Sequence, residues 1–144
     1  LMITFSKPYQ KGYETWMDIF LDGDTYSACY LTDVANDMID AAVIMLNDIL
    51  PFVLEVDADG IHYMFIDGRL VRNFIVTDGT TIKSYPRIEP IELAKTIYQY
   101  LKENTEAYYE WFSYEDDEEE IAQYKEKLDK GLEKLKTAIE NYNK

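Results

Sequence analysis

The residues most able to do chemistry lie in one acidic and aromatic segment, residues 103–120. This segment contains nine carboxylates and no lysine or arginine. As a continuous helix it would be about 27 Å long, with roughly one negative charge per 3 Å. A single strand of DNA carries a phosphate about every 3.4 Å. The segment therefore has the charge density of a nucleic-acid strand, which predicts that the protein binds a basic partner.

The acids and two of the aromatic residues of this segment are our predicted partner-binding residues. An exposed tryptophan or tyrosine beside carboxylates would make a strong contact, because these residue types dominate binding energy at interfaces. Five aromatic residues lie within positions 108–114, so we expect two or three of them to pack inward. The predicted partner-binding set is Glu103, Glu106, Glu110, Trp111, Tyr114, Glu115, Asp116, Asp117, Glu118, Glu119 and Glu120.

A structural role offers an alternative explanation for part of this acidic run. Ser113 or Asp117 can cap the last predicted helix, and acids in a first turn favour the positive end of the helix dipole. Capping and the dipole account for two or three of the acids. The six consecutive acids 115–120, together with the three before them, exceed that requirement.

Elsewhere the sequence offers no catalytic or metal-binding pattern. His62 is the only histidine, and no second metal ligand or nucleophile is placed near it in sequence. The motifs Asp22-Gly23-Asp24 and Asp57-Ala58-Asp59-Gly60 do not continue into a calcium loop and are typical of turns. Cys29 is the only cysteine and cannot form an intramolecular disulfide. We therefore predict a protein that is not an enzyme and that uses no metal and no cofactor.

Composition narrows the kind of protein further. The formal net charge is −14 over 144 residues, and 47% of the residues are hydrophobic. So much negative charge disfavours direct binding to nucleic acid or to an anionic membrane. The hydrophobic content suits one packed domain, and no apolar run approaches the roughly 20 residues of a membrane-spanning helix. Leu1 precedes a methionine, so we expect the native chain to start at Met2. The length predicts a single domain over 2–144, and because no signal peptide is visible we expect a cytoplasmic protein.

Four Asp-Gly pairs predict the strands that would position this segment. Asp-Gly between apolar runs is a strong signal for a hairpin, because the tight turn needs the positive φ that glycine tolerates. Residues 2–31 are predicted to hold a hairpin of strands 13–21 and 25–31. Residues 52–85 are predicted to form a four-stranded meander of strands 52–56, 61–66, 70–77 and 81–85.

Apolar residues at helical spacing predict the helices. One helix is expected within 32–50, capped by Thr32 or Asp33 and ended by Pro51. Residues 89–142 should hold the remaining helices and the acidic segment, beginning at Glu89-Pro90. The last helix, about 117–142, carries a narrow apolar seam close to a heptad pattern. The predicted fold is α+β: a single domain with a five- or six-stranded antiparallel sheet and C-terminal helices packed on one face.

These features favour an acidic inhibitor that occludes the cationic cleft of a basic nuclease or nucleic-acid-binding effector. The partner would be a nuclease toxin or a host defence effector, and the chain either an immunity protein of a bacterial toxin system or a phage DNA mimic. In size and charge the chain is broadly similar to such immunity proteins. The main alternative is a small-molecule-binding or enzymatic domain that uses an aromatic sheet face of Tyr26, Tyr30, Tyr63, Phe65 and Phe74. A third possibility is an assembly protein that oligomerises through the seam of the last helix.

Overall fold

The computed structural model describes residues 2–49, 51–67, 73–112 and 117–142, which form two antiparallel sheets and a layer of helices. The first sheet contains β1 (Ile3–Phe5), β2 (Tyr9–Lys11), β3 (Glu14–Leu21) and β4 (Asp24–Cys29). The second contains β5 (Phe52–Asp57), β6 (His62–Asp67), β7 (Asn73–Thr77) and β8 (Ile82–Pro86). The helices are α1 (Val34–Leu46), α2 (Pro90–Glu103), α3 (Thr105–Tyr109) and α4 (Glu118–Asn141).

The first sheet is organised around β3. Strands β1 and β2 follow one another along one edge of β3, and β4 pairs with the other edge. The second sheet is a simple meander in which each strand pairs with the next. The α+β class is confirmed, but the single sheet of five or six strands is wrong. Strands of three residues on either side of Pro8 show too little alternation to be recognised in the sequence.

The hairpin prediction is confirmed where the turns are described. Asp22 and Gly23 join β3 to β4 with φ values of 47° and 93°, so both residues of this two-residue turn are left-handed. A chain of L-residues reaches that conformation most easily with glycine in the second position. The pairs β5–β6, β6–β7 and β7–β8 are also antiparallel neighbours. Gly68, of the third Asp-Gly pair, lies outside the described residues.

An aromatic and ionic contact joins the two sheets. The ring of Tyr26 on β4 packs edge-on against Tyr63 and Phe65 of β6, with ring centroids 5.3 and 5.5 Å apart. Its hydroxyl is hydrogen-bonded to the hydroxyl of Tyr85, which donates to Asp24 Oδ2 at 2.7 Å. Lys83 on β8 forms an ion pair with the same carboxylate. Side chains therefore hold β4 against the second sheet without a backbone ladder.

The helices form the layer that carries the acidic segment. Asp33 caps α1, and Pro90 begins α2, as the sequence predicts. Helix α4 packs against α1 and α2, and a Cβ atom at Gly131 would lie 3.2 Å from the Ile39 side chain, so the absence of a side chain there permits close packing. Within the described residues, none of these helices combines the length and apolar character needed to cross a membrane.

The apolar seam of α4 is used inside the monomer. Its central residues Leu128, Leu132 and Leu135 are buried in the core. Burial of this kind explains why the seam is narrow, because the opposite side of α4 faces water. The buried seam is not available for the oligomerisation considered above.

Candidate protein-binding surface

The acidic segment 103–120 is bent rather than one continuous helix. Helix α2 ends at Glu103, α3 covers Thr105–Tyr109, and α4 begins at Glu118. The break follows from local side-chain hydrogen bonds to the last carbonyls of α2. Asn104 Nδ2 donates to Tyr100 O and Thr105 Oγ1 donates to Leu101 O, both at 2.8 Å. The charge density of a straight rod therefore does not apply, and the bends relieve part of the like-charge repulsion that a single helix would carry.

Two aromatic residues of the segment are anchored in the core. Tyr108 and Trp111 both have 0% of their surface exposed. Trp111 Nε1 donates a hydrogen bond to the carbonyl of Thr32 at 2.8 Å. Trp111 thus cannot contact a partner as the sequence suggested, and we remove it from the predicted binding set. Because five aromatic residues crowd into seven positions, tertiary packing alone decides which of them enter the core.

A chain of hydroxyl hydrogen bonds fixes Tyr108. The hydroxyl of Tyr100 donates to Ser6 O at 2.7 Å, so the hydroxyl of Tyr108, 2.5 Å from that of Tyr100, is the donor in their bond. Burial raises the pKa of Tyr108 well above its usual range. The polar end of a fully buried tyrosine is thereby satisfied, as the low dielectric of a core requires. The acidic segment is consequently attached to the fold through rigid, neutral groups.

The other two described aromatic residues of the segment contact α4. Tyr109 donates from its hydroxyl to Asp129 Oδ1 at 2.6 Å, and this bond raises its pKa to about 12. The ring of Phe112 packs edge-on against Tyr124, with centroids 5.2 Å apart. Both side chains are half-buried. Neither offers a freely exposed aromatic anchor to a partner.

The described acids of the segment lie at the surface, in two settings. Glu103 and Glu106 line an open depression of about 760 Å³ between α2, α3 and α4, together with Asp129 and Glu133. Lys7 and Lys102 also line it. Glu110 is exposed at the end of α3, and residues 117–120 are exposed at the start of α4. Tyr114, Glu115 and Asp116 lie outside the described residues, so their place in the binding set stays a prediction.

Capping accounts for one of the acids at the start of α4. The side chain of Asp117 accepts hydrogen bonds from the backbone N–H groups of Glu119 at 2.9 Å and Glu120 at 3.3 Å. This satisfies donors that a helix N-terminus leaves unpaired. Glu118 and Glu119, by contrast, form no ion pair or side-chain hydrogen bond within the described part of the chain. Asp117 therefore has a structural role, and its two neighbours are open to solvent.

A second acidic face lies on α1 and was not among the predicted residues. Asp33, Asp37 and Asp40 follow one another at spacings of four and three residues along this helix. Partial burial, followed by the charges of Asp33 and Asp40, raises the pKa of Asp37 to about 6. Glu55 of β5 adds to the same effect, so it lies near this face. The helical spacing was visible in the sequence, but the approach of Glu55 was not.

The two acidic regions meet at the start of α1. Trp111 ties the acidic segment to Thr32, the residue before Asp33. On the other side, burial and then the charge of Asp33 raise the pKa of Tyr124, and Lys127 Nζ lies 3.9 Å from Asp33 Oδ2. Residues of the acidic segment and of α4 therefore both contact the start of α1. Lys127 is the cation that the described structure places beside Asp33.

The aromatic sheet face proposed as a ligand pocket is covered. Phe65 and Phe74 are 1% and 0% exposed, and both belong to the hydrophobic core. Tyr26, Tyr30 and Tyr63 are half-buried and pack against that core. His62, the first residue of the strand that carries Tyr63 and Phe65, lies 3.9 Å from Glu55 at the surface. Within the described residues no group of three His, Cys, Asp or Glu side chains is placed to hold a metal ion.

Comparison with known proteins adds no relative to this description. No family model, curated protein sequence or solved structure matches the chain.

Proposed function

We propose that this protein is an acidic inhibitor that binds a basic protein and occludes its cationic cleft. The partner class is a nuclease toxin or another nucleic-acid-binding effector, which places the chain among immunity proteins of bacterial toxin systems or phage anti-defence DNA mimics. The observation that carries the proposal is the pair of exposed carboxylates at the start of α4, Glu118 and Glu119, which form no ion pair within the described residues. Such a surface can bind the lysines and arginines that otherwise bind phosphates.

The exposure of Glu110, Glu118 and Glu119 and their lack of ion pairs among the described residues support this proposal. All three are exposed, and none takes part in an ion pair within the described chain. Exposed acids next to each other repel, so they cost folding free energy unless a partner or solvent compensates. Across the whole chain 28 acids face 14 lysines and arginines. A field of this size steers a basic protein toward the surface and speeds association.

The anchoring of the segment supports the proposal in a second way. Tyr108 and Trp111 are buried. Trp111 is hydrogen-bonded to Thr32, and Tyr108 is hydrogen-bonded to Tyr100, which in turn donates to Ser6. The described backbone around Glu106 and Glu110 is therefore held in place before any partner arrives. Binding by a preorganised surface loses less conformational entropy than binding by a flexible acidic tail. This feature favours a folded inhibitor over a merely solvating acidic segment.

The test uses a candidate partner, namely a basic protein with nuclease activity whose gene lies next to the gene for this chain. Its nuclease activity is measured with increasing amounts of the purified chain, and the association rate is measured at several salt concentrations. We expect stoichiometric inhibition and an association rate that falls steeply as salt rises. A neighbouring protein that keeps full activity in the presence of a stoichiometric excess would contradict the proposal.

A charge-matched pair of variants assigns the effect to a surface. The test variant is Glu110→Gln/Glu118→Gln/Glu119→Gln, and the control is Glu89→Gln/Glu92→Gln/Glu140→Gln. Both remove three exposed charges, and both remove acids at the start of a helix, because Glu89 and Glu92 lie at the start of α2. We expect the test variant to slow association about tenfold at low salt, and the control to slow it much less. Equal effects of the two variants would mean that the acids of the test variant act only through the net charge of the protein.

A further inference from the structure

The outer face of the second sheet is more apolar than a solvated face should be. Strand pairing sets Val53, Ile66 and Ile75 side by side on neighbouring strands, and in the next row it aligns Met64 with Ile82 through Thr77. Residues alternating with these, such as Phe65 and Phe74, point into the core. An antiparallel sheet with one face in the core normally shows polar side chains on the other.

These apolar side chains remain accessible in the described structure. Val53 is 41% exposed and Ile82 is 75% exposed. Met64, Ile66 and Ile75 are half-buried, as expected for branched and long side chains that shield one another across strands. Contiguous exposed apolar surface of this kind marks an interaction site in most soluble proteins.

Acidic side chains lie along the β5 side of this face. Glu55 lies on β5 next to Met64 of β6 in the strand register. Asp57, two residues further along β5, lies on the same face and pairs in register with His62, whose Nε2 is 3.9 Å from Glu55 Oε2. Lys83 of β8 does not offset these acids, because it pairs with Asp24. The face therefore combines an apolar centre with a negatively charged margin.

That charge decides between two occupants of the face. A second copy of the chain would bring the same acids on both sides of the contact, in molecules that each carry a net charge of −14. A basic protein would instead pair its lysines and arginines with the margin while an apolar side chain enters the centre. Interfaces need such an apolar centre, and the acidic segment does not supply one because Tyr108 and Trp111 are buried.

We infer that the outer face of the second sheet, centred on Val53, Ile66 and Ile75 and bordered by Glu55 and Asp57, is where a basic protein partner docks. The inference rests on the proposed function and names the contact surface of the same partner. In this arrangement the acids at the start of α4 raise the association rate. The apolar face sets the dissociation rate, since buried apolar contacts govern the lifetime of a complex.

The test uses two synthetic peptides of equal length and equal positive charge. One is an amphipathic leucine–lysine peptide, and in the other serine replaces every leucine. Binding is followed by NMR of isotope-labelled isoleucine and valine methyl groups in the intact chain. We expect saturable shifts at Val53, Ile66 and Ile75 with the leucine–lysine peptide, and at least tenfold weaker binding of the serine–lysine peptide. Shifts confined to residues of α3 and α4 would overturn the inference.

Two variants test whether loss of peptide binding comes from the sheet face itself or from damage to the fold. Ile66→Thr/Ile75→Thr keeps the β-branched shape that strands favour and removes apolar surface. Tyr13→Ser removes an aromatic side chain that is 95% exposed on the turn before β3, away from the second sheet. We expect the first variant to weaken leucine–lysine peptide binding about tenfold and the second to leave it unchanged. Equal affinity of both variants would overturn the inference, as would light scattering that shows the parent to be a dimer dissociated by the threonine variant.

The outcomes for this surface and for the proposed function are separable. A threonine variant that still neutralises the nuclease with parental kinetics, while the parent also neutralises it, would place the docking surface elsewhere and leave the function standing. A parent that binds the peptide on this face but does not inhibit the neighbouring nuclease would contradict the function and keep the surface.

Discussion

The indole of Trp111 donates its N–H to the carbonyl of Thr32 at 2.8 Å, across 79 residues of sequence. This bond brings the acidic segment against the start of α1, where Asp33 caps the helix and opens its acidic face. The bond thereby attaches the acidic segment to the residue before the α1 cap. A single buried aromatic residue thus links the surface that the sequence predicted to the surface that it did not.

Replacement of Trp111 by phenylalanine should reduce stability strongly. The change leaves a buried Thr32 carbonyl without its donor and opens a gap where the indole was, so we expect a loss of about 2–4 kcal/mol. The measurement is the urea midpoint, with an unchanged m-value showing that the same surface is exposed on unfolding. Tyr13→Phe, at an exposed position, should change stability by less than about 0.5 kcal/mol. A Trp111 variant as stable as this control would contradict the buried position of the indole.

The two hydroxyls of the Tyr108–Tyr100–Ser6 chain should contribute unequally. In Tyr108→Phe the Tyr100 hydroxyl keeps its bond to Ser6, and we expect a cost of about 0.5–1.5 kcal/mol. In Tyr100→Phe the fully buried Tyr108 hydroxyl and the Ser6 carbonyl both lose their partner, so the cost should rise to about 1–3 kcal/mol. Urea denaturation of both variants checks this order. The reverse order would mean that the donor directions assigned here are wrong.

Burial of Asp67 should make the protein less stable as the pH rises through a defined window. Its side chain is buried, Oδ1 has no hydrogen-bond partner in the described structure, and burial raises its pKa to about 6. The folded state then binds the proton more tightly than the unfolded state, whose carboxyl titrates near pH 3.8. The destabilisation is absent below about pH 4, grows between about pH 4 and 6, and is complete above that range.

Asp67→Asn should therefore be more stable than the parent at pH 7, by about 1–3 kcal/mol, and no more stable at pH 4. The measurement is the difference between the urea midpoints of variant and parent across this pH range, which cancels the contribution of Asp37. Asp78→Asn is the control of opposite sign, because hydrogen bonds from the backbone of Thr81 and Thr80 lower the pKa of Asp78. That variant should lose stability relative to the parent near pH 7, and the difference should shrink as the pH falls through the folded-state pKa. A flat difference curve for Asp67→Asn would disprove the buried, unpartnered carboxylate.

Local sequence signals predicted the hairpins and the starts of α1, α2 and α4, but not how the elements associate. The predicted end of α1 was also wrong, because the helix ends at Leu46 and not at Pro51. Asp22-Gly23 specifies its turn through φ alone, which is a property of two residues and visible in the sequence. The contact that joins the two sheets depends on Tyr26 packing against Phe65 and Tyr85, residues 39 and 59 positions away. In the same way, the acids at 117–120 could be recognised as a helix start, whereas the burial of Trp111 depended on a partner in the loop before α1. Contacts of this range leave no periodic trace in the sequence.

The capping role of Asp117 can be separated from its charge, which gives the sharpest test of what the acids at the start of α4 do. Asp117→Ala removes both the cap and the charge, and loss of the hydrogen bonds to Glu119 and Glu120 should cost about 0.5–2 kcal/mol. Asp117→Ser keeps a side-chain oxygen that can accept the same bonds, so its stability should stay close to that of the parent. Both variants remove one negative charge from the surface proposed to steer the partner. If the charge matters for binding, both should slow association with the basic protein to the same extent at low salt and converge on the parent rate at high salt. If the acid serves the helix alone, the serine variant should associate like the parent at every salt concentration.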